Sequence, residues 1–382
     1  MEQLARYIDP ISTAMWVFPF VALVFTAPYV ISCYRRYGAV LFFRALIVYS
    51  FIFYMLCVYF LGILPLPSFE EVAAMTREWA QLEPLRGIRL ALAEANFSWS
   101  EPASWLRVLR TENFFYIAAN VAMLFPLGIY LRYAFRQGFF STVRWGFVVS
   151  LSIELLQLTG LLFIYPRPYR LCDVDDLIAN TLGAALGYLV APLPMKILPS
   201  QEKLDRVAYQ RGERVSIMRA AVAAGVDWAL CALVALPLAS LLGLRGAGST
   251  GVVYIACVLV YFIWIQYIAR GRTLGKWLCR IRLVSEDGSR PRLWQVALRC
   301  VSLYLVLLVA PYAGFRAWNA MIDLTGWRFF AMGVAAVACL GVFAVFVFTC
   351  FVNLLTRASR LPHERVSRTR NQSTIRHDGA GA

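Results

Sequence analysis

Charge is scarce in this chain. Only 15% of its 382 residues are Asp, Glu, Lys or Arg, whereas 60% are hydrophobic and the mean hydropathy is +0.63. A soluble protein of this size does not carry so much apolar surface. Histidine is rarer still: the chain holds two, His363 and His377. No HExxH, CxxC or paired His/Cys spacing occurs, which argues against a zinc site of the usual kind. The absence of a P-loop argues against ATP-driven pumping, and no GxSxG elbow offers a hydrolase nucleophile. GRTLGK, at 271–276, lacks the Walker spacing. No cofactor is expected.

Apolar runs of about 18 residues or more qualify as membrane-spanning helices. Nine occur, over 11–33, 40–64, 114–131, 145–164, 175–194, 219–243, 251–268, 295–314 and 329–356. They predict an all-α polytopic membrane protein in two bundles, five helices then four. Residues 1–195 form the first module and 219–357 the second. Residues 196–218 read as a polar linker, and 358–382 as a basic tail, partly disordered at its end. The first ten residues lack the basic start of a cleavable signal.

The net charge of +15 invites a nucleic-acid reading. Its distribution argues against one. If the N-terminus is outside and the helices alternate, Lys and Arg concentrate on the inner segments, and the outer ones hold slightly more acid than base. That is the positive-inside pattern of a multi-pass protein in the cell membrane, with its C-terminus cytoplasmic. Of the nine cysteines only Cys172 falls in an outer loop, without an outer partner, so no structural disulfide is expected.

Two outer segments stand out. The long loop 66–112 contains SEPASWLRVLR, which reads as a short helix lying on the outer leaflet or roofing a site. The tight loop from Tyr165 to Cys172 joins the fourth and fifth spans.

Polar groups at membrane depth are costly and usually functional. On the third span Asn113 and Asn120 share a face. On the fourth, Glu154 and Gln157 do. Asp173, Asp176 and Asn180 follow i, i+3, i+7 into the fifth. Arg170 precedes them. Only an interior cluster keeps such stripes out of lipid. The expectation is an outward-opening acidic pocket in which Arg170 meets an aspartate, or a ligand phosphate or carboxylate. The alternative is a buried network that fixes the helices. Asp175 points away from Asp176 and reads as solvated. Gly183 and Gly187 form a GxxxG packing step, and Pro126 with Gly128 is expected to kink the third span. Asp173 and Asp176 are a weak magnesium or calcium candidate; otherwise no metal is expected.

ANVAMLFPLG, SIELLQ and YRLCDVDDLIANTLGAALGYL resemble the VanZ-like family of membrane proteins. The resemblance covers about 40–195, with motif positions at Asn120, Pro126, Gly128, Glu154, Gln157, Arg170, Asp173, Asp176, Asn180, Gly183 and Gly187. It implies the cell envelope, and a link with low-level resistance to a glycopeptide antibiotic, teicoplanin.

The second module has its own polar set. Arg219 stands at the inner boundary of the sixth span and Asp227 lies eight residues on, about 12 Å along the helix. Asp227 needs a partner, and Arg219, Lys276 and Arg299 are candidates. CRIRLV followed by an Asp-Gly turn predicts a small inner hairpin before the eighth span. Arg219, Asp227, RTLGKWLCRIRLV, Gly288 and Arg299 resemble the RDD family over about 212–370. The family's third acidic position falls on Glu364, where an aspartate is the rule. The resemblance implies a link with transport, including cation/proton exchange.

Three functions follow. In the first, the outer pocket binds an envelope lipid or a lipid-linked glycopeptide and contributes to antibiotic or envelope-stress resistance. Arg170 would meet the anionic group, and Glu154, Asp173, Asp176 and Asn180 the hydroxyls, amides or cations. In the second, Glu154 and Asp227 carry protons in ion or lipid transport. In the third, Glu154 or Asp176 acts as general base on a lipid head group, with no nucleophile or metal motif in support. A purely structural or partner-docking role is the bland alternative. Membrane lipids are the expected partners; the sequence leaves the oligomeric state open.

Overall fold

The computed structural model describes residues 2–76, 78–244, 246–322, 324–356 and 361–375. Among these, nine helices are long and apolar enough to cross a membrane. The chain forms two compact units. The first comprises 1–26 and 42–204, the second 27–41 and 205–382.

The first unit holds most of α1 (Glu2–Tyr37), α2 (Phe42–Ile63), α3 (Phe69–Ala74), β1 (Ala80–Gln81), α4 (Arg86–Glu94), α5 (Pro102–Val108), α6 (Glu112–Tyr133), α7 (Phe139–Leu158), β2 (Cys172–Asp173) and α8 (Val174–Val190). The loop 66–112 is therefore folded. Ser68 and Glu71 make a reciprocal capping box that starts α3. Two residues of the loop pair in parallel with the short segment before α8, Ala80 with Cys172 and Gln81 with Asp173. α6 runs unbroken across Pro126.

Glycine decides how α6 and α8 meet. A Cβ built on Gly183 would lie 2.1 Å from the Val121 carbonyl oxygen, and one on Gly187 1.9 Å from that of Phe125. One on Gly128 would lie 2.0 Å from the Ala184 carbonyl. The two backbones thus touch directly, as small-residue steps permit. Val58, Leu124, Leu127, Ile153 and Ala184 close the core around that seam.

The fourth span ends earlier than its apolar run. α7 stops at Leu158, and Gly160, Leu161, Leu162 and Phe163 all take positive φ, +58°, +58°, +57° and +68°. Left-handed backbone costs roughly 1–2 kcal/mol per side-chain-bearing residue. The turn seats Leu161 against Val72, Tyr165 and Tyr169, while Leu162, Phe163 and Ile164 remain exposed. Hydropathy reads such a turn as helix because it is apolar.

The second unit contains most of α9 (Gln201–Gly212), α10 (Ile217–Leu241), α11 (Ala247–Leu259, continuing in π-helical form over Val260–Ile265), α12 (Leu274–Leu278) and β3 (Ile281–Ser285). There follow α13 (Leu293–Tyr304, continuing in π-helical form over Leu305–Val309), a helix over Ala310–Met321, α14 (Trp327–Thr356), α15 (Pro362–Val366) and β4 (Thr369–Ser373). The residues expected as linker mostly form α9.

The expected hairpin before the eighth span does not form as such. β3 exists, and the Asp287-Gly288 turn closes with Ser285 N–H on the Ser289 carbonyl at 3.0 Å. The antiparallel partner is β4, with Ile281 opposite Ser373 and Ser285 opposite Thr369. Pro291 has no N–H to donate, and α13 starts two residues later, which leaves no return strand. The tail through Ile375 is thereby built into the unit; 376–382, with His377, lies outside the described residues.

Gly183→Leu should unseat α8 from α6 and lower the unfolding stability in detergent by about 3 kcal/mol, the upper end for overpacking. Gly341→Ala, where an added Cβ meets nothing within 4 Å, should leave the melting temperature unchanged or higher. Equal melting of the two variants would refute the close seam.

Candidate functional site

The polar stripes of α6, α7 and α8 do converge. Asp173 caps α8, its Oδ1 accepting from Asp175 N–H at 2.8 Å. Its own N–H donates to Glu154 Oε2 at 2.9 Å. Asn120 Nδ2 donates to Asp176 Oδ1. One turn deeper, Asn180 Nδ2 donates to Ser150 Oγ at 3.1 Å. Glu154, Asp173 and Asp176 are electrostatic neighbours. Glu154 is only 4% exposed.

Arg170 lies within electrostatic reach of Glu154 and Asp176, and its guanidinium also bonds the backbone. Nη1 donates to the carbonyls of Leu61 and Gly62 at 3.2 and 2.9 Å, and Nη2 to Leu64 at 2.6 Å. Gln157 Nε2 also donates to Gly62, at 2.7 Å. These carbonyls belong to the end of α2, where backbone acceptors have no intrahelical partner. The guanidinium therefore closes a helix C-terminus, where a cation is favoured. Arg170 thus stands beside the acids, as one of the expected alternatives has it, while three of its hydrogen bonds go to the end of α2.

Asp175, expected as solvated, is also engaged. Its Oδ1 accepts from Leu85 N–H at 2.5 Å and its Oδ2 from Gly87 N–H at 2.7 Å. It holds the amino end of α4 and fastens the loop 66–112. Gln81 Nε2 adds a second tie, to Asp173 Oδ1 at 3.1 Å. Between these ties lies an open pocket of about 520 Å³ lined by Glu78, Gln81, Arg86, Asn113 and Asp173, with Leu90 and Leu171 at its apolar edge. Burial raises the Asp173 carboxyl above its ordinary value. Burial and the adjacent Glu154 push the Cys172 thiol up to about 11, so it is neutral and unreactive. All nine cysteines are free. Among the described residues no group of three His, Cys, Asp or Glu side chains is placed to hold a metal, which leaves Asp173 and Asp176 without a third ligand of that kind.

In the second unit the three family positions have separate partners. Arg219 is fully buried. It donates to the carbonyls of Cys279, Gly212 and Arg280, each at 2.8 Å, and to Ser373 Oγ at 3.3 Å. Asp227, also fully buried, accepts from Tyr261 OH at 2.9 Å, Thr273 Oγ1 at 2.5 Å and Gly275 N–H at 2.7 Å. It thereby serves the amino end of α12, and none of the three basic residues expected as its partner forms an ion pair with it. Gly275 is required here: its Cβ would lie 2.0 Å from the Ala223 carbonyl. Glu364 pairs instead with Arg299, Oε1 to Nη2 at 2.8 Å, and Arg299 Nη1 reaches Thr369 Oγ1 at 3.0 Å.

Tyr261, Thr273 and Gly275 went unnoticed in the sequence. The signal for Thr273 and Gly275 lay in RTLGK, whose threonine and glycine look like phosphate-loop residues but act as a helix start for a buried aspartate.

The fold and these buried polar sets define a multi-pass membrane protein. Residues 51–195 match the family model VanZ/LLP1, and residues 214–365 match the RDD family. The chain thus joins a VanZ-like segment to an RDD segment, in that order. Comparison with curated proteins and with solved structures found no match.

Removing one member of a buried ion pair leaves the other charge uncompensated. Glu364→Ala should cost about 3–5 kcal/mol of unfolding stability, and Arg299→Met with Glu364→Met should recover most of it. A double variant as unstable as the single one would contradict the pairing.

His363 adds a pH dependence. Burial, with Arg299 and Lys276 nearby, pushes its pKa down to about 3, against about 6.5 unfolded. As pH falls, the unfolded chain takes the proton first, so stability is lost between about pH 6.5 and 3. Thermal melts of wild type should fall through that window more steeply than those of His363→Gln; parallel curves would refute the burial of a neutral imidazole.

Proposed function

We propose that the first unit binds the polar head of an envelope lipid, or of a lipid-linked glycopeptide, and so contributes to antibiotic or envelope-stress resistance. The supporting observation is the pocket between the outer loop and the start of α8. It combines one guanidinium, two carboxylates and two amides with an apolar edge. Such a set suits a head group that presents phosphate or carboxylate beside hydroxyls or amides. Arg86 takes the anionic group, because Arg170 is engaged with the end of α2. Gln81, Asn113 and Asp173 address the neutral polar groups. The ordered loop supports the reading further: Asp175 and Asp173 tether it without blocking the pocket.

The transport alternative has less behind it. Glu154 and Asp227 each accept from backbone N–H groups at the start of a helix, bonds that protonation would weaken.

Arg86→Ala with Asn113→Ala should leave insertion and melting unchanged, because both side chains stand outside the packed core. Retention of the co-purified lipid, read by mass spectrometry, should fall about tenfold, the equivalent of 1.4 kcal/mol. Teicoplanin tolerance conferred in cells should fall with it. A folded double variant with the wild-type lipid profile and tolerance would overturn the proposal.

A further inference from the structure

The second unit encloses a larger cavity, of about 740 Å³, that the polar set described above only borders. Its lining includes the exposed polar residues Glu213, Arg214, Arg370 and Gln372. It also includes an apolar set: Trp228, Phe262, Leu303, Tyr304, Leu307 and Phe346. Lys276, Arg299 and His363 line it as well.

The two buried acids of this cavity, Asp227 and Glu364, are already engaged. Asp227 has its three donors, and Glu364 is paired with Arg299. Lys276 has no carboxylate within ion-pair distance among the described residues. With the Gln266 amide oriented by its hydrogen bonds, the ammonium meets that amide's oxygen. His363 is 7% exposed, and its Nδ1 has no partner among the described residues. A half-buried ammonium with no ion-pair partner and a buried imidazole nitrogen with no hydrogen-bond partner among the described residues thus line the same cavity. Burial and the neighbouring guanidinium push Lys276 down to about 7, as expected where an anion would complete the site. The wall also includes both π-helical stretches, through Phe262 and Leu307. Such bulges often accompany functional sites.

From this arrangement we infer that the cavity of the RDD segment binds an anionic amphiphile, with its phosphate or carboxylate head at Lys276 and His363 and its chain against Trp228, Phe262 and Leu307. The volume falls within the range of ordinary ligand sites. The inference is independent of the pocket in the first unit.

The test uses the full-length protein in neutral detergent, with native mass spectrometry as readout. The probes are oleate, dioleoyl phosphatidic acid, dioleoyl phosphatidylcholine and inorganic phosphate. Oleate or phosphatidic acid should bind at least tenfold more tightly than phosphatidylcholine, and whichever binds identifies the head. Inorganic phosphate should not compete. Lys276→Gln should lose the preference for the anionic lipid, Lys276→Arg should keep it, and Ala224→Trp, which fills the chamber, should weaken binding tenfold or more. Melting curves establish that each variant is folded. Equal binding of zwitterionic and anionic lipid, competition by phosphate alone, or unchanged binding in folded Ala224→Trp would overturn the inference. Arg86→Ala must leave this binding unchanged; a loss there would place the lipid in the first unit and refute the assignment.

Discussion

Helix ends are the constraint on which this protein turns. Each helix leaves its first amides and last carbonyls without partners, and near a bilayer water cannot always supply them. The chain answers with charged side chains. Arg170 closes the end of α2, and Arg219 gathers carbonyls from the end of α9 and the end of α12. Asp227 serves the start of α12, Asp175 the start of α4 and Glu154 the start of α8. Placed this way, an expensive buried charge resolves a second expense, the orphaned backbone group.

This use of charge changes how the polar residues are read. A cluster of acids and one arginine at membrane depth suggests a ligand site, and part of it is instead the scaffold for one. The carboxylates of α8 and its cap fasten a folded loop, and the loop in turn forms a pocket wall with Arg86. The second unit repeats the logic. Its buried arginine and aspartate hold the short α12, which carries Lys276 to the cavity. In both units motif positions build the frame, and residues outside the motifs, Arg86 and Lys276, complete the lining beside them.

Much of the architecture was legible because hydropathy and spacing report it directly. Nine apolar runs, the GxxxG step at Gly183 and Gly187, and the stripes of Asn120, Glu154 and Asp176 all follow from helical periodicity. Three features did not. The apolar turn at 160–163 has the composition of a helix, yet its backbone is left-handed and its Leu161 packs against Tyr165 and Tyr169. The partner of β3 lies more than 80 residues away in sequence, and no local pattern names it. The targets of Arg170 and Arg219 are main-chain carbonyls, which every residue type carries, so composition cannot point to them.

Hydrogen–deuterium exchange of the detergent-solubilised protein, comparing wild type with Arg170→Gln, tests the central claim most directly. If buried charge secures helix termini, exchange should rise at the carboxyl end of α2 and in residues 64–68, while the middle of α2 and the α6–α8 seam stay protected. Unchanged exchange at that end, or a uniform rise through the unit, would contradict the account.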